Sequence, residues 1–193
     1  THILHWSLRQ VLGEHVKQAG SLVDDERLRF DFSHYDAVTD DELLRIEELA
    51  NSLTLSNEVV DSSESSKDEA LEKGAIAFFG DKYGDEVRVV SVGDWARELC
   101  GGTHAERSGQ VGVVKFLSEG SIGAGVRRVE AIVGVDAYRF LAREHLLLAQ
   151  LSDLMKARPE ELPERIDAAL TRLKDAEREI ARADRDGSSL GLL

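Results

Sequence analysis

The sequence predicts an α+β fold: a mostly antiparallel sheet with packed helices, followed by a C-terminal helical extension. Three observations carry this. Short runs rich in β-branched residues, Val87–Val92, Val111–Leu117 and Val126–Val133, have strand character. Apolar residues at three- and four-residue steps mark helices between and after them. The charged, helix-periodic character after Gly134 separates a domain at 1–134 from a helical linker at 135–186 and a Gly/Ser-rich tail at 187–193.

Taken in order, residues 2–18 place Leu4, Leu8, Val11, Leu12 and His15 on one helical face, and Gly20 is the expected stop. Leu28, Phe30 and Phe32 alternate with Arg29, Asp31 and Ser33, a strand period. Thr39 with Glu42 is a capping box that opens a second helix. Glu58–Asp61 reads as a short strand, and Ser66 to Phe79 as a third helix. Gly80–Asp85 turns into the Val87–Val92 strand, and Val111–Leu117 then pairs with Val126–Val133. Beyond Gly134, Asp136–Ala157 is a helix with Tyr138, Leu141, His145, Leu148 and Leu151 on a stripe. Pro159 and Pro163 fit a break and a new helix start. Ile166, Leu170, Leu173, Glu177 and Ile180 form a short, imperfect coiled-coil seam, interrupted by Glu177, so self-association through these helices is expected to be weak.

The net charge is −13. Between Asp36 and Glu72 twelve acids face only Arg45 and Lys67, so that segment supplies −10 and the remainder of the chain is close to neutral. Candidates for phosphate contact are Arg9, Lys17, Arg27, Arg29, Arg127 and Arg128. On a strand, Arg127 and Arg128 point to opposite faces, so at most one of them faces a given pocket. No apolar run has the length of a membrane span, and no glycine-rich phosphate loop precedes a helix. The single cysteine excludes an internal disulfide and fits a reducing compartment, the cytoplasm, or a metal site.

That cysteine stands in Cys100-Gly101-Gly102-Thr103-His104. Thiolate and imidazole are zinc ligands, and the two glycines allow both to face one ion. By itself the spacing is a weak signal, because a lone cysteine is often a small core residue. The ordered set around it is specific. Gly20-Ser21-Leu22-Val23, Arg27-Leu28-Arg29-Phe30-Asp31-Phe32-Ser33-His34, Gly109-Gln110-Val111-Gly112 and Gly125-Val126-Arg127-Arg128-Val129-Glu130-Ala131 resemble the editing domain of alanyl-tRNA synthetases from Thr1 to about Gly134.

The resemblance implies zinc held by His2, Cys100 and His104. It also implies Gln18 and Thr103 at a pocket that hydrolyses the ester of serine or glycine on the 3′ end of alanine tRNA, with Arg127 and Arg128 as tRNA contacts. The family carries His-x3-His at the start of the domain. His2 matches the second of that pair, so the first falls before Thr1. The zinc site is therefore expected to be incomplete in this polypeptide, filled below one ion per chain, with His5 as a less suitable replacement. Thr1, inside a helix and without an initiator methionine, is expected of a piece of a larger synthetase. A free-standing editing protein of the same superfamily and a non-catalytic, zinc-stabilised interaction module are the alternatives.

Overall fold

The computed structural model describes residues 1–77 and 84–190, with side chains through residue 183. It contains helices α1 (His2–Leu12), α2 (Asp40–Leu55), α3 (Lys67–Glu72), α4 (Gly134–Met155) and α5 (Leu162–Leu190). The strands are β1 (Gln18–Val23), β2 (Leu28–Ser33), β3 (Val60–Ser66), β4 (Glu86–Val92), β5 (Ala96–Leu99), β6 (Val114–Gly123) and β7 (Val126–Val133). The architecture is α+β with antiparallel sheets, as the sequence predicts. The strands form two sheets, in the orders β1-β2-β7-β6 and β3-β4-β5.

α1 is shorter than its periodicity implies. Gly13, at φ 114°, ends it, and the Arg9 guanidinium donates to the Glu14 and Val16 carbonyls just beyond. Val16 is fully buried, so a core residue continues the apolar pattern after the helix has stopped. Residues 18–23 are instead an edge strand, and Gly20 lies inside it rather than at a helix end. A bulge between Gln18 and Gly20 shifts its register against β2. The capping box of α2 is present: Thr39 Oγ1 accepts from Glu42 N, and Thr39 N donates to the Glu42 carboxylate. β3 runs further than expected, and α3 stops at Glu72, two residues before Gly74 takes φ 80°. The distal part of the expected third helix, with the turn through Tyr83, lies outside the described residues. β5 has no counterpart in the sequence reading.

The contacts divide the chain into two units, Thr1–Arg139 and Phe140–Leu193. In the first, Leu4 and Leu8 of α1 and Ile46 of α2 share a core with Phe30 and Phe32 of β2 and Val129 of β7. Such burial contributes about 1.5–3 kcal/mol per large apolar side chain. Asp31 lies between the two phenylalanines yet is itself 8% exposed, because Arg128 of the neighbouring strand pairs with it. A second core joins Ala70 and Ala75 to Val87, Val89 and Leu99. Asn51 ties α2 to the first sheet: its Nδ2 donates to the Val114 carbonyl at 2.8 Å, and its Oδ1 accepts from Val114 N at 2.9 Å.

In the second unit Pro159 starts a 3₁₀ turn and Pro163 sits in the first turn of α5, where a missing N–H costs nothing. α5 continues to Leu190, across 187–190 of the stretch read above as a tail; 191–193 lie outside the described residues. Leu148, Leu151, Leu170, Leu173 and Ile180 are exposed. Among the described residues no helix is long and apolar enough to cross a membrane.

Candidate metal centre

Two elements distant in sequence build the site. α1 presents His2 and His5 on one face, three positions apart. β5 then runs beside α1, and strand alternation turns Ala96 and Glu98 inward while Arg97 stays exposed. Cys100 leaves the strand but still donates its N–H to the Arg88 carbonyl at 3.1 Å. The Arg88 guanidinium donates to the Gly102 carbonyl and holds the following loop against β4. A Cβ at Gly102 would meet Cys100 Sγ at 3.5 Å and the His104 ring at 3.9 Å, so the backbone passes directly beside both side chains.

His2, Cys100 and His104 meet here, with one nitrogen or sulfur atom from each lying within 4.8 Å of the others. The two histidine Nε2 atoms are 3.0 Å apart. Nitrogens so placed either share one proton or face one cation. His2 Nδ1 donates to Glu98 Oε2, which leaves Nε2 for that shared point. His104 Nδ1 is buried without a hydrogen-bond partner among the described residues.

Glu98 was not among the expected site residues. Its side chain is 2% exposed, and its second oxygen accepts from His5 Nδ1 at 2.7 Å. Burial alone would push its carboxyl upward; the hydrogen bonds from His2 and His5, with their charge, outweigh this and hold it at about 2. His104 is held below the usual imidazole range, chiefly by burial and then by the nearby His2 and Arg88 charges. A thiolate and two imidazoles, one oriented by a buried carboxylate, are the donor set and support that zinc takes. His5 binds Glu98 and does not belong to the three-residue cluster.

The other expected residues lie elsewhere. Gln18 opens β1 at the bulge; its Nε2 reaches Ser21 Oγ at 3.5 Å, and its Oε1 is shielded without a partner among the described residues. Thr103 is exposed in the loop between Cys100 and His104. Arg127 forms a two-bond pair with Glu119, and Arg128 one with Asp31. Arg27 pairs with Glu130 at 3.1 Å. These cations are neutralised within the first sheet. A solvated carboxylate and a buried one look alike in sequence, so nothing local marks Glu98 as inward.

The family model for the threonyl and alanyl tRNA synthetase second additional domain matches residues 87–130, the stretch containing Glu98, Cys100 and His104. The alanine–tRNA ligase of Nocardioides sp. is 57% identical over 182 residues, covering 94% of this chain and 20% of that protein. That of Acidothermus cellulolyticus is 52% identical over the same length. That of Kineococcus radiotolerans is 51% identical over 193 residues, covering the whole chain and 22% of the relative. The chain thus spans about a fifth of the length of the curated relatives it matches.

Proposed function

From a chain that is homologous to a segment of the alanine–tRNA ligases and carries the second additional domain of threonyl and alanyl tRNA synthetases, we propose a proofreading hydrolase. Its reaction is cleavage of the ester that joins serine or glycine to the 3′ end of alanine tRNA, in the cytoplasm, and water is the second reactant. The observation that carries this is the convergence of His2, Cys100 and His104 beside the buried Glu98.

His2, Cys100 and His104 would hold zinc, which supplies a fixed positive charge for orienting water or substrate. Glu98 keeps His2 in the tautomer that turns Nε2 toward His104, and it binds His5 at the same time. Gln18 and Thr103 are polar groups for the aminoacyl moiety. An amide such as Gln18 orients by hydrogen bonding and takes no proton near neutral pH. Selection needs polar groups because an apolar pocket rejects an added hydroxyl poorly. A pocket that bonds the serine hydroxyl leaves its own groups unpaired when alanine enters. With Arg127 and Arg128 paired to Glu119 and Asp31, any contact of theirs with tRNA requires opening or sharing those pairs. The exposed leucines of α4 and α5 are the surface for weak self-association.

Deacylation of serine-charged alanine tRNA tests the reading. In a chain extended N-terminally to include the first histidine of the pair, Cys100→Ala should abolish most hydrolysis, and Gln18→Ala should lower it while the circular-dichroism spectrum stays unchanged. Native rates in both variants would take Cys100 and Gln18 out of the reaction, and no hydrolysis by the native protein would favour the non-catalytic, zinc-stabilised module.

A further inference from the structure

The chain has two tryptophans, and the fold brings them together. Trp6 lies on α1, four positions beyond His2, on the same helical face. Trp95 stands in the turn before β5. Their rings meet edge to face at 5.4 Å between centroids. Both are partly buried, and beside them opens a cavity of about 190 Å³ that Lys73, Ile76, Asp94, Arg97 and Glu98 also line. The Trp95 indole Nε1 is shielded from water and has no hydrogen-bond partner among the described residues.

We infer that the Trp6–Trp95 cavity binds one unpaired nucleobase of an RNA acceptor end. This rests on the reading of aminoacylated tRNA as the substrate. Chemistry and charge both point to a base. Indoles are stacking platforms for any base. The net charge is −13, and Arg27, Arg127 and Arg128 are paired to acids, so these three are not free for phosphates. Contacts that do not depend on charge then carry a larger share of any grip on RNA. Lys73 is bonded to Glu69, and Arg97 to the Lys73 carbonyl, so the cations at the rim border the cavity without forming a phosphate cradle.

Because no other tryptophan is present, fluorescence excited beyond tyrosine absorption reports on this site alone. The full chain is titrated with adenosine 5′-monophosphate and, separately, with ribose 5-phosphate. The nucleotide should change the emission saturably and the sugar phosphate should not. A tenfold rise in salt should weaken nucleotide binding less than about fivefold, the limit for one phosphate contact on a single strand. Trp95→Leu, followed through Trp6, should weaken it about 5- to 100-fold, the range of one lost stacking contact. Trp95→Phe should fall between. No response to the nucleotide, an equal response to ribose 5-phosphate, a steeper salt dependence or native affinity in Trp95→Leu would each overturn the inference. Nucleotide binding by a protein that does not deacylate serine-charged tRNA would remove the proofreading reading and leave the base site standing.

Discussion

Glu98 Oε1 accepts a hydrogen bond from His5 Nδ1 at 2.7 Å while the other oxygen of the same carboxylate accepts from His2. One buried side chain thus fixes two histidine rings. Glu98→Gln keeps the shape but loses the charge and one acceptor. Its zinc affinity should fall about 10–100-fold, as when a ligand loses its orienting partner. Glu98→Ala should also lower stability by about 3–5 kcal/mol, the cost of breaking a buried charged pair. Chelator competition reads the first effect and urea denaturation the second.

The donor set itself makes a separate prediction. Zinc should raise the melting temperature of the native chain, since a ligand that binds only the folded state stabilises it. Cys100→Ala and His104→Ala should each weaken binding by at least about tenfold, because loss of a direct ligand exceeds loss of its support. A zinc-induced rise that persists undiminished in Cys100→Ala would remove the sulfur from the site.

Asp31 sets an acid limit on the first sheet. Its carboxyl is held below the usual range by the hydrogen bond from Arg128, which outweighs the opposing effect of burial, with the charges of Arg128 and Arg29 adding to it. A depressed carboxylate contributes stability that is complete above its unfolded value, about pH 4, and is lost as pH falls through the folded one. Asp31→Asn should therefore melt below the native protein near neutrality, and the gap should close in strong acid. Melting curves across pH check this; a gap independent of pH would assign the effect to packing.

Asn51 joins α2 to β6 through both polar groups of Val114. Asn51→Ala leaves a buried N–H and a buried carbonyl without these partners, a cost of about 2–3 kcal/mol. Urea denaturation should show a lower midpoint with an unchanged slope.

Local signals in the sequence identified what local forces decide. Thr39 and Glu42 announced α2 because a capping box is complete within four residues. Phe30 and Phe32 announced β2 because their alternation survives in the structure. α1 is shorter than its periodicity implies because His15 keeps the helical spacing in sequence, while Gly13 breaks the helix and leaves His15 exposed beyond it. β5 escaped notice because four residues with two charges carry too little pattern. At the candidate site, Cys100 and His104 were conspicuous by type, and the family resemblance linked them to His2. Glu98 was silent: its significance arises only from two histidines more than ninety positions away.

The 102 positions between His2 and His104 also fix when this site comes into being. During synthesis α1 leaves the ribosome first, and at about 5–20 residues per second its partners follow about 5–20 s later. For that interval the histidines of α1 have neither their carboxylate nor the cysteine loop. Closing so long a loop precedes any contact that rewards it. A nascent chain thus acquires the centre only once β5 and the loop through His104 are laid down beside α1, and the first sheet, which needs β6 and β7, closes later still.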